Sequence, residues 1–265
     1  DVLKRPWLCF ALGLSFSLFA MVIALFVFPK DPALVTVAVS SLLLVPVLRE
    51  ELVAQRVSVL KSKGVIDVLR SQWSFFLSYF WIFIGMFFTF SFFSIMLPSV
   101  ASSKLFETQL AFIGGAFSPD VLTHLLVNNT VVLVSFVLFS LIAGSGSIFL
   151  LAWNASVWGA VFGAVARSSA ESIQGSAWIL YALVLVSVLP HTIIEMSSYI
   201  VGIIAGSLVS ESIVLDGLKS VNFDSMVKKA GILFLVAFLL VILGGIVETA
   251  VLDNVAVYKM VLAFM

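Results

Sequence analysis

The chain has 265 residues, 62% hydrophobic and 11% charged, and its 14 basic and 14 acidic side chains leave no formal net charge. A mean hydropathy of +1.22 excludes a soluble domain, whose surface must be polar, and makes the lipid bilayer the first expected partner of a multi-pass protein. The single cysteine, Cys9, excludes an intramolecular disulfide and a cysteine-rich metal site.

Trp7 to Phe28 is free of charge. It is longer than a signal-peptide core and no small-residue cleavage pattern follows it, so it reads as a retained span. Ala33 to Leu48 is shorter and carries Pro46, but it lies between Pro29-Lys-Asp-Pro32 and Arg49-Glu-Glu51 and reads as the return arm of a hairpin covering residues 1–48. Residues 49–71 follow as a connector with Arg49, Arg56, Lys61, Lys63 and Arg70 against Glu50, Glu51 and Asp67. Together with Lys4 and Arg5 this excess of cations places the connector and the N-terminus in the cytoplasm of a protein of the cell membrane. Leu52, Val53, Val57 and Leu60 recur at helical spacing, which suits an amphipathic helix on the membrane surface as well as a solvated linker.

Residues 72–265 read as one membrane domain. Trp73 to Leu97 and Gly231 to Val247 are uncharged spans. Between them, residues 98–127 form the main extracytoplasmic loop. Leu105 to Ile113 is apolar enough to dip into the interface, and Ser118-Pro119-Asp120 is placed to start a helix carrying His124, at the interface, with Asn128 and Asn129. Thr130 to Ala166 holds no charge, and as one helix it would extend roughly 55 Å against a hydrocarbon core of roughly 30 Å. Gly144-Ser-Gly146-Ser147 is the expected break, and Ser176 to Ser210 repeats the problem around Pro190. Each long run is expected to be a short arm plus a full span, or else a long tilted or kinked helix. The resulting fold class is an all-α polytopic bundle of about six crossings. Gly159 with Gly163, and Gly202 with Gly206, are four-residue pairs that allow close helix packing, within the chain or between copies.

Ionisable groups inside such runs are candidates for function. His191 and Glu195 are four apart and share a helix face, Glu248 lies in the last span, and Asn129 and Asn154 flank the Gly144 break. Three readings fit this intramembrane set. It forms a hydrogen-bonded network that fixes helix register, or a binding or conduction site for a proton, ion, small solute or lipid head group, or a hydrolytic centre. The second histidine of an HExxH metal motif is missing, no Walker A, GxGxxG or nucleic-acid motif is present, and no metal or cofactor is expected.

In order, Asn128-Asn129, Gly144-Ser-Gly146, Trp153-Asn154-Ala-Ser-Val-Trp-Gly159, Leu189-Pro190-His191-Thr-Ile-Ile-Glu195 and Gly244-Gly245 with Glu248 resemble the stage II sporulation protein M family, particularly its longer archaeal members. Thr192 stands where that family usually has glycine, and Ala155 follows Asn154. The resemblance covers roughly Gln72 to Val251. It implies an all-helical polytopic fold and a non-enzymatic role: in endospore formers the member is understood to hold a peptidoglycan-degrading complex in the membrane. On that basis the expected partners are other membrane or extracytoplasmic proteins and further copies of the chain.

Overall fold

A computed structural model describes residues 3, 5–28, 31–111 and 121–254, excepting the side chains of residues 121, 124 and 251–254. Its elements are all helices: α1 (Pro6–Val27), α2 (Pro32–Lys61), α3 (Val65–Met96), α4 (Ser99–Leu105), α5 (Glu107–Leu110), α6 (Val121–Ala143), α7 (Ile148–Ile173), α8 (Ala177–Asp216) and α9 (Val221–Asn254), with a 3₁₀ turn at Gly144–Ser147. Six helical runs are long and apolar enough to cross a membrane. The ends follow local chemistry. Pro6 and Pro32 occupy the first turns of α1 and α2, where a missing N–H costs nothing. The Asp31 carboxylate accepts the Leu34 N–H at 3.4 Å. At the other end of a helix, α7 stops at Gln174 in the left-handed region (φ 52°) and α8 stops at Gly217 (φ 75°).

Residues 49–71 have no element of their own. The first part completes α2 and the last part begins α3, with a turn at residues 62–64. Leu52, Arg56 and Val59 are buried while Val53 and Val57 are exposed, so one stripe of this extension packs on the bundle.

The register of the contacts gives helix directions. Leu3, Gly13 and Ser17 meet Ser78, Ile82 and Thr89 in turn, so α1 and α3 run parallel. On α7, Trp158, Gly163 and Arg167 meet Phe83, Ser94 and Leu97, so it runs parallel to α3. Along α8, Glu195, Gly202, Gly206 and Ser207 meet Asn129, Leu133, Ser140 and Gly144 of the α6 arm. The α7 arm leaves the same turn with Ser147 beside Ser207 and reaches Val184 at Val165. The run Leu125–Ile173 therefore reverses at Gly144–Ser147, where Gly144 adopts φ +54° and the Ser207 hydroxyl donates to its carbonyl at 3.0 Å. The expected short arm plus span is replaced here by a hairpin astride α8. At Pro190 the helix is unbroken, so of the two readings of this run the long single helix is the one seen and the half-helix is absent. The pyrrolidine removes one backbone donor while the chain stays helical on both sides.

In the 98–127 segment, the Ser118-Pro119-Asp120 start and Ile113 lie outside the described residues, as does the side chain of His124. The described part descends alongside α3. The Ser102 hydroxyl donates to the Ser94 carbonyl at 3.4 Å, Phe106 packs edge-on to Phe90, and the Gln109 amide reaches the Ser156 hydroxyl at 3.5 Å. Ser156 is 11 residues before Arg167, which donates to the carbonyls of Ser94 and Leu97 at 2.7 and 2.9 Å. The segment therefore dips about 16 Å past that level.

Candidate functional site

The site forms where α6, α8 and α9 converge. In a helix a residue four places on returns to the same face, so His191, Glu195 and Tyr199 form one stripe of α8, and all three are buried. Asn129 on α6 donates its amide N–H to Glu195 Oε1 at 2.5 Å, and Asn128 in turn donates to Asn129 Oδ1 at 3.2 Å. Glu248 on α9 brings its carboxyl against that of Glu195, and Tyr199, stacked on Phe136 at 5.1 Å, lies in the field of both.

Small residues admit this convergence. A Cβ on Gly244 would lie 3.1 Å from Glu195 Cγ, and one on Gly245 would lie 2.9 Å from Leu126 Cδ2, so the glycine pair gives α9 a slot beside the carboxyl. Gly202 and Gly206 let α8 close on α6, and Gly159 and Gly163 let α7 close on Phe87, Phe90, Ser91 and Ser94 of α3. Both pairs thus serve contacts within the chain. Gly146 lies in the reversing turn, where its Cβ would meet Ala143 Cβ at 3.3 Å.

Of the residues singled out from the sequence, Asn129, Glu195 and Glu248 come together. His191 sits one turn from Glu195 with its Nδ1 buried and without a hydrogen-bond partner among the described residues, and Glu248 Oε2 is in the same condition. Asn154 stands apart on α7: its amide donates to the Leu150 carbonyl of its own helix at 3.2 Å. Tyr199, Gln109 and Arg167 were not read as site residues. Arg167 was detectable as the first charge after a long uncharged run. Gln109, fully buried with its Oε1 unpaired among the described residues, gave no signal because it lies in the segment read as the extracytoplasmic loop.

Two carboxyl groups in contact away from any cation need a shared proton or a bound cation between them, since like charges repel strongly in a low-dielectric interior. Among the described residues neither carboxyl has a Lys or Arg partner. Among the described residues no three His, Cys, Asp or Glu side chains are grouped to hold a metal ion. A proton shared by the carboxyls, with Asn129 donating to one of them, is the arrangement these atoms can satisfy by themselves.

The convergence of apolar helices around inward-facing polar groups defines a multi-pass helical membrane protein. The pattern of the family described as Stage II sporulation protein M matches residues 74–251, and the chain belongs to that family. No curated protein and no solved structure matches it. The match begins inside α3, so α1 and α2 precede the matched segment.

Proposed function

We propose that the chain is a non-enzymatic assembly component of a membrane complex, in which the Asn129, Glu195 and Glu248 cluster fixes the register of α6, α8 and α9. The supporting observation is the closure of the cluster: Asn129 is committed to Glu195, Glu195 meets Glu248, and Gly244 leaves room for the Glu195 side chain and little more. Packing of this kind suits a rigid platform that presents its outer faces to other membrane or extracytoplasmic proteins. The N-terminus and the turn at residues 62–64 face the cytoplasm on this reading, because the cations concentrate there. The test is affinity purification from native membranes with wild type, Glu195→Gln and Glu195→Leu. A platform retains the same co-purifying proteins in wild type and Glu195→Gln, while Glu195→Leu, with the register of α6, α8 and α9 loosened, retains fewer of them. Loss of a solute flux in Glu195→Gln, with partners absent throughout, refutes it.

A proton or small-solute pathway is the second reading, and the unpaired His191 Nδ1 and Glu248 Oε2 favour it. It predicts a flux across proteoliposomes that Glu195→Gln abolishes at unchanged stability, because glutamine keeps the shape of the side chain and loses its titratable proton.

A further inference from the structure

On the outside of the bundle, α3, α8 and α9 leave a groove of about 510 Å³ whose lining is almost wholly apolar, including Trp73, Phe76, Phe80, Val201 and Leu233. This is the size of a small-molecule site. Helix geometry decides what lies at its charged end. Arg70 is seven residues before Leu77, a lining residue, and Lys229 is four residues before Leu233, so each cation continues a groove-lining stripe below the apolar part. Of the acids nearby, Asp67 shares its stripe with Ser74 and Asp224 shares its stripe with Lys228 and Gly231, none of which lines the groove, while Glu211, seven residues after the lining Ile204, is buried and forms no ion pair among the described residues.

Arg70 is exposed and has no hydrogen bond or ion pair among the described residues. The Lys229 ammonium donates to the Val59 and Leu60 carbonyls at 2.8 and 2.7 Å, which leaves one of its three protons uncommitted, and it forms no ion pair with a carboxylate among the described residues. Gln72 lines the same end and is 3% exposed. An apolar trough leading to two cations matches one chemistry: an acyl chain that ends in an anionic phosphate.

We propose that this groove is a binding site for an anionic phospholipid, with a chain along α3, α8 and α9 and the phosphate at Arg70 and Lys229. Each cation near a membrane surface favours an anionic lipid about fivefold.

The test uses the full chain in detergent with added dioleoylphosphatidylglycerol or dioleoylphosphatidylcholine, lipid retention being read by native mass spectrometry. Wild type retains the glycerol lipid preferentially. Arg70→Gln, which leaves every packed contact in place, reduces the preference about fivefold, and Arg70→Gln with Lys229→Gln reduces it about 30-fold. In parallel, a photoreactive residue at Trp73 forms a lipid adduct in membranes. Equal retention of the two lipids by wild type overturns the proposal. So does an unchanged preference in Arg70→Gln, or a crosslink from position 73 to a second copy of the chain or to another protein in place of lipid.

Discussion

Gly202 and Gly206 lie one turn apart on the same face of α8 and both meet α6, yet the structure assigns them different tolerances. A Cβ at Gly202 would approach Leu133 Cδ1 at 2.6 Å and Val137 Cγ2 at 3.2 Å, both tips of side chains that can rotate. A Cβ at Gly206 would lie 2.6 Å from the Val137 carbonyl oxygen and 2.6 Å from Ser140 Cβ, atoms that move only with the α6 backbone. Real Cβ contacts stay above 3.0 Å, so α6 must retreat by at least the difference of 0.4 Å. Alanine gains about 0.5–1 kcal/mol over glycine inside a helix, and forced overpacking costs about 1–3 kcal/mol. Gly202→Ala is therefore expected within about 0.5 kcal/mol of wild type, and Gly206→Ala is expected to be about 1–2 kcal/mol less stable. Reversible unfolding in mixed micelles measures both. Equal losses, or a larger loss at Gly202, would refute the argument that backbone contact sets the cost.

Glu195→Leu should destabilise the bundle by about 1–3 kcal/mol, because it strands the buried Asn129 amide, while Glu195→Gln stays close to wild type; the same unfolding assay ranks them. Arg167→Gln should cost about 1.5–3 kcal/mol, since the guanidinium satisfies two carbonyls at the end of α3, and a loss under 0.5 kcal/mol would show those bonds to be worth little. In a Cys9→Ala background, an impermeant maleimide should label Gln174→Cys from the same face as Ser103→Cys, and Lys219→Cys from the same face as Lys63→Cys. Labelling of Gln174→Cys and Lys63→Cys from one face would contradict the reversal at Gly144–Ser147.

The apolar runs and the grouping of Asn129 with Glu195 and Glu248 were readable, because lipid imposes long uncharged helices and makes isolated polar groups seek one another. The reversal at Gly144–Ser147 was not. A change of direction is usually announced by charge, and Thr130 to Ala166 carries none; here the turn rests on one left-handed glycine and on Ser207, 63 residues away. At Pro190 the long-helix alternative holds, since proline removes one donor but does not by itself unwind a helix held on several sides. Asn154 was grouped with the cluster by its position near the break, whereas its amide is satisfied locally by Leu150. Long-range ties such as Arg56 donating to Ser212 and Asp216 leave no trace in local pattern.

The position of α8 has a mechanical consequence. It touches α2, α3, α6, α7 and α9, and the hairpin that straddles it is fastened to it at both Ser207 and Glu195. A mast stayed from five sides cannot slide or swivel alone; any rearrangement must carry its neighbours along. Load applied by a bound protein at one end of this mast would be felt at the other as movement of the whole body.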